Sequence, residues 1–246
     1  MPASIIGSPQ NLRALLADVR SMPFDRAAPS PSAPATPRPF VTISREPGIP
    51  ASDLGNALVE ALNTAMPPAD DREAAWSGWD RELVEKVAHD TGLSRDMIEA
   101  LEESNRSWLT DFFSGLSGDD RSTQPDADAA FRRVAGTVGA LAEFGRTVIV
   151  GCGGVFITRH LPSGIHVRLV APEEYRVARL AEAMHLTPAK AAQRLAELDR
   201  NRQAFFKRHW PNEELKPELF TLTVNAATVP MDLAVETIVK LVRRVR

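Results

Sequence analysis

The sequence predicts an α/β fold, a parallel sheet covered by helices on both faces. Two observations carry this reading. Short apolar runs, FVTIS (40–44), RTVIVGCGG (146–154), GIHVRLVAP (164–172) and ELFTLTVNA (218–226), each stop at or run into a turn residue or a polar break. Segments with helical periodicity lie between them. Strands buried on both faces read as continuous apolar stretches rather than as strict alternation. In open parallel sheets ligands bind beyond the carboxyl ends of the strands. Thr42–Gly48, Gly151–Gly154, Ala171 and Asn225 therefore fall on the candidate binding edge.

The elements follow in order. Residues 10–22, QNLRALLADVRSM, form an amphipathic helix, because Leu12, Leu15, Leu16 and Val19 share one face. Residues 23–40 carry a proline every few positions and read as a stiff, extended linker. Residues 1–39 are thus an arm, read either as a mobile extension or as a helix that docks on a partner or on its own chain. The α/β domain spans 40–246. After the first strand, 52–65 is helical, with Ser52 or Asp53 as cap and Leu54, Ala57, Leu58 and Leu62 inside. Helices are expected over 79–92, from 93 to 104 with Ser94 as cap, and over about 127–144, with a polar loop at 116–126. Helices over 171–184 and 187–210 start at Pro172 and at Thr187-Pro188, and a last helix covers 231–245.

Composition narrows the function classes. The chain has 246 residues, 43% hydrophobic and 25% charged, enough for a packed core. Its net charge of -3 gives no global field to recruit nucleic acid. A single cysteine, Cys152, excludes an internal disulfide and a multi-cysteine metal site, and suits a cytoplasmic protein. No run approaches the roughly 18 apolar residues of a membrane span. The five histidines show no metal-ligand spacing.

Three segments carry chemistry. In TISREPGIPASDLGNALVEAL (42–62) a strand enters a Gly/Pro turn and then a helix. Helix N-termini bind phosphate through free N–H groups and the helix dipole. Gly48 permits close backbone approach, and Arg45 could supply the charge of the loop lysine that this sequence lacks. Pro47 and Pro50 each remove a donor, and the pattern G-x-x-x-x-G-K-[ST] is absent. The second segment holds Arg176, Arg179, Asp199, Arg200 and Arg202, followed by Lys207 and Arg208. It reads either as a solvated helical face or as arginine forks that grip a transferring phosphoryl group. The third is Trp79-Asp80-Arg81, where Asp80 is either a helix cap or an acceptor for a second substrate.

The order of these segments resembles the cytidylate kinase-like family of P-loop fold. VTISREPG (41–48), WDREL (79–83), VIVGCGG (148–154), HVRLVAPEEYRVARL (166–180), LDRNRQAFFKR, TLTVN and MDLAVETIVKLV carry the likeness. It implies a three-layer P-loop NTPase-like parallel sheet of about five strands with a helical lid. It also implies phosphoryl transfer from ATP with Mg²⁺ to a nucleoside monophosphate such as CMP or dCMP. Gly48 and the N–H groups at 51–54 (Ala51, Ser52, Asp53) would cradle phosphate, with Ser52 as metal ligand. Asp80 and Arg81 would sit by the acceptor. Arg176 and Arg179 would belong to the lid, with Asp199 and Arg202 as the late Asp-Arg cluster. The family's Gly-Ser-Gly-Gly-Arg-Glu is here Gly48-Ile49-Pro50-Ala51-Ser52-Asp53, and the arginine of its Gly-Arg-Gly is here Cys152. These departures leave a second reading open, a catalytically inactive scaffold that works through protein partners.

Overall fold

A computed structural model describes residues 38–69, 74–89, 125–151 and 153–245. The expected helices over 10–22 and 93–104, the proline-rich linker up to residue 37 and Cys152 lie outside the described residues. Five strands, β1 (Phe40–Arg45), β2 (Ser77–Trp79), β3 (Thr147–Val150), β4 (Gly164–Val170) and β5 (Leu222–Asn225), form one sheet in the order β2-β3-β1-β4-β5. Every pairing is parallel; in the centre, Val41 stands between Val148 and Ile165.

Helices α1 (Ala51–Ala65) and α7 (Met231–Val242) pack on one face against Val41, Ile43, Val167 and Leu169. On the other face lie α2 (Arg81–His89), α3 (Pro125–Phe144) and α4 (Gly154–Thr158), around Phe40, Ile149, Phe156 and Trp210. The result is the three-layer arrangement that short apolar strands demand. Helices α5 (Glu173–Met184) and α6 (Pro188–His209) pair as a hairpin. Only Leu180, Ala191, Leu195 and His209 of this hairpin are buried. Thr187 caps α6 by accepting from the Lys190 N–H, as its Thr-Pro start predicts.

Three local expectations change. Helix α1 begins at Ala51 with Pro50 at the cap position and no side-chain cap, so neither Ser52 nor Asp53 caps it. Residues 77–79 are a strand, and the helix there starts at Arg81. With only Ser, Gly and Trp, that strand is too short to show periodicity; its pairing with β3 forms it. The segment at 218–226 divides into a 3₁₀ turn, Pro217–Leu219, and the four residues of β5.

Candidate active site

Chain order places the site. From β1 the chain crosses to β2 at the sheet edge, returns through β3, and then passes to β4 on the other side of β1. The crevice between β1 and β3 is thus the switch point, where ligands bind in open parallel sheets. A cavity of about 1080 Å³ opens there. The loops after β1 (Arg45, Pro47–Pro50) and β3 (Gly151, Gly153), parts of α2 and α3, and the α5–α6 hairpin line it.

Two of the four expected catalytic residues, Arg179 and Arg202, face this cavity. Arg179 pairs with Glu182 at 2.8 Å. Arg202 stacks on the Phe206 ring at 4.7 Å, and among the described residues it has no hydrogen-bond or ion-pair partner. Burial pushes its guanidinium down to about 10, helped by Arg45 and Arg168 and opposed by Glu46 and Asp199. It stays charged at neutral pH, so the fold holds a half-buried cation with further cations beside it. Such an arrangement favours an anion.

Arg176 and Asp199, the other two, are spent on each other. The Arg176 guanidinium donates to both Asp199 carboxylate oxygens at 3.0 Å. Its Nε lies 3.8 Å from Glu46. Glu46 also accepts from the Ala171 N–H at 3.1 Å and lies 3.9 Å from Arg168. This carboxylate joins the loop after β1 to the β4–α5 junction. Sequence reasoning passed over Glu46 because a lone acid in a loop carries no spacing signal. Arg168 was passed over because it sits inside an apolar strand motif.

The loop after β1 differs from an open phosphate cradle. The Ile49 N–H bonds to the Glu46 carbonyl at 3.3 Å, and the Ala51 N–H to the Ile49 carbonyl at 2.9 Å. Ala51 is buried in the core. Pro47 and Pro50 have no N–H. Gly48 has φ +85°, and a Cβ there would lie 2.7 Å from the Arg176 carbonyl oxygen; packing against α5 already requires glycine. At Gly151, φ +86°, a Cβ would meet the Arg45 guanidinium at 3.2 Å, so Arg45 reaches across to the β3 loop. The loop thus offers the side chain of Arg45 and the first free amides of α1, from Ser52 onward.

Asp53 is exposed and lines the cavity, whereas Ser52 is half-buried and does not. Mg²⁺ usually takes one or two protein carboxylates and fills its remaining positions with phosphate oxygens and water. Asp53 therefore fits a metal carried in with a polyphosphate better than Ser52 does. Among the described residues no cluster of three or more acids, histidines or cysteines could hold a metal by itself. Asp80 stands at the start of α2, its carbonyl accepting from the Val84 N–H at 3.0 Å, and does not line the cavity. Arg81 does, paired with Glu85 at 2.6 Å.

This parallel sheet, its switch-point cleft and the overhanging hairpin define a P-loop kinase-like α/β protein. Residues 40–228 match the model of the cytidylate kinase-like family, and the chain belongs to that family. A comparison with curated proteins gives no match. Among solved structures, an uncharacterized protein from Eubacterium ventriosum is similar at a TM-score of 0.59 and 17% identity, over 84% of this chain and 98% of its own. A shikimate kinase from Bacteroides thetaiotaomicron is similar at a TM-score of 0.46 and 12% identity, over 83% of this chain and 98% of its own. Among the described residues, no helix is long and apolar enough to cross a membrane.

Proposed function

We propose that the chain is an ATP-dependent nucleoside monophosphate kinase acting on a CMP-like acceptor in the cleft between β1 and β3. One observation supports this above the others: Arg202 is held charged and half-buried at the cleft, and no described residue pairs with it. Phosphoryl transfer needs little covalent help and much cationic positioning. Bound ATP with Mg²⁺ would supply the transferable phosphoryl group. Arg202 and Arg45 would bind and orient its phosphate oxygens, Arg179 would meet them from α5, and Asp53 would be the carboxylate available to the metal. Arg176, Asp199 and Glu46 fix the hairpin against the loop and so set where Arg202 points. The aromatic wall of Phe131, Phe205 and Phe206 excludes water and offers ring faces to a base.

The test is turnover of CMP and dCMP with Mg²⁺-ATP. Arg202→Ala is expected to lower kcat/KM at least about 100-fold, since two charge-assisted hydrogen bonds contribute roughly 1.5–3 kcal/mol each. A folded wild-type protein that binds nucleotide without turnover would contradict the kinase reading. It would favour the second one, an inactive kinase-like scaffold. That reading has its own support: the amides of Ile49 and Ala51 are committed within the loop, and Pro47 and Pro50 supply none. The arm over 1–39 would then carry the protein partner.

A further inference from the structure

Arg202 faces two cavities. Besides the main cleft it lines a smaller one of about 480 Å³, together with Glu46, Arg168, Asp199, Lys207 and Trp210. This is within the size of small-molecule sites. Its acids are already engaged. Asp199 accepts both bonds from Arg176, Glu46 accepts from the Ala171 N–H, and Glu213 accepts from Arg159 at 2.6 Å. Its cations are engaged less. Arg168 gives one N–H to the Leu215 carbonyl and lies 3.9 Å from Glu46. Among the described residues, Lys207 and Arg202 have no hydrogen-bond or ion-pair partner. Trp210 is buried against Phe156 and closes one wall. The cavity therefore presents donors with unused capacity beside acids that each already hold a hydrogen-bond partner.

We propose that this smaller cavity is a second anion site, for a small phosphate- or carboxylate-bearing molecule held by Arg168, Arg202 and Lys207. Its occupant competes with the nucleotide of the main cleft, because both use the one Arg202 guanidinium. Competition follows from that sharing and is reciprocal. The second site rests on the cavity itself; only the competition rests on the nucleotide reading above.

Lys207 lines the smaller cavity and not the main cleft, while Arg179 lines the main cleft and not the smaller cavity. The probe is inorganic phosphate, titrated into the full chain by thermal melting and calorimetry, with chloride at matched ionic strength as control. Wild type is expected to bind and Lys207→Gln to weaken binding about tenfold, while any loss in Arg179→Gln reports phosphate taken by the main cleft. Repetition with citrate reports whether carboxylate serves as well as phosphate. Saturating phosphate is expected to raise the apparent Kd for CMP in wild type and to do so less in Lys207→Gln. No phosphate binding in wild type, or equal binding in Lys207→Gln, would overturn the site. Binding lost in Arg179→Gln alone would place the anion in the main cleft and overturn it too. If CMP fails to bind while the Lys207 effect persists, the second site stands and the nucleotide reading falls.

Discussion

Single residues state the physics most sharply. His166 is buried on β4, with its Nδ1 2.8 Å from the Thr42 hydroxyl, and burial lowers its pKa to about 4. A histidine whose folded pKa lies below its unfolded value stays neutral in the native state, and the unfolded chain binds the extra proton. Stability from this group is complete above about pH 6.5 and is lost as pH falls toward 4. The loss over that window is about 3 kcal/mol. Urea denaturation at pH 7.5 and pH 4.5 should show it, and His166→Gln should flatten that limb. Gly48 makes a second case. With φ +85° and the Arg176 carbonyl against its missing side chain, Gly48→Ala should cost about 1–3 kcal/mol by chemical denaturation, with or without ligand. A change seen only in nucleotide affinity would assign this glycine to phosphate instead. The sequence marked Gly48 as special but not the reason, because the neighbour that demands glycine lies far along the chain.

At the scale of elements, long periodic helices and apolar strands were legible, and contact-dependent pieces were not. Leu54, Leu58 and Leu62 face the core as their spacing requires. Strand β2 and the single-turn helix α4 owe their form to neighbours: β2 to its ladder with β3, and α4 to close packing of Gly154 on Thr42. The same limit applied to the site. Arg176 and Asp199 are expected to be catalytic by order in the chain; in the fold they pair with each other, and Arg176 also approaches Glu46. Arg202, in the same helix as Asp199, has no such partner among the described residues. A list of charged residues cannot separate these roles, because partners come from different elements. Glu46 is then the joint between the β1 loop and the hairpin. Glu46→Gln should raise amide hydrogen exchange across α5 and α6 while protection in β1 and β3 holds. Uniform loss of protection would mean that Glu46 supports the whole fold, and no change would mean that the hairpin stands without it.

At the scale of the molecule, one sheet topology explains why the cleft lies where it does, and Arg202, with no hydrogen-bond or ion-pair partner among the described residues, is the cation on which the proposed nucleotide reading turns. Family membership supports the kinase-like class; under the proposed reading, the departures around Pro47, Pro50 and Ala51 would leave side-chain cations to carry more of a phosphate grip than loop amides. The most direct measurement is calorimetric titration of CMP, and separately of Mg²⁺-ATP, into wild type and Arg202→Gln. Wild type should bind CMP, with affinity falling at least about tenfold in the variant while its melting temperature is kept, as loss of a charged hydrogen bond requires. Equal affinity in the two proteins, or no nucleotide binding in wild type, would contradict the account.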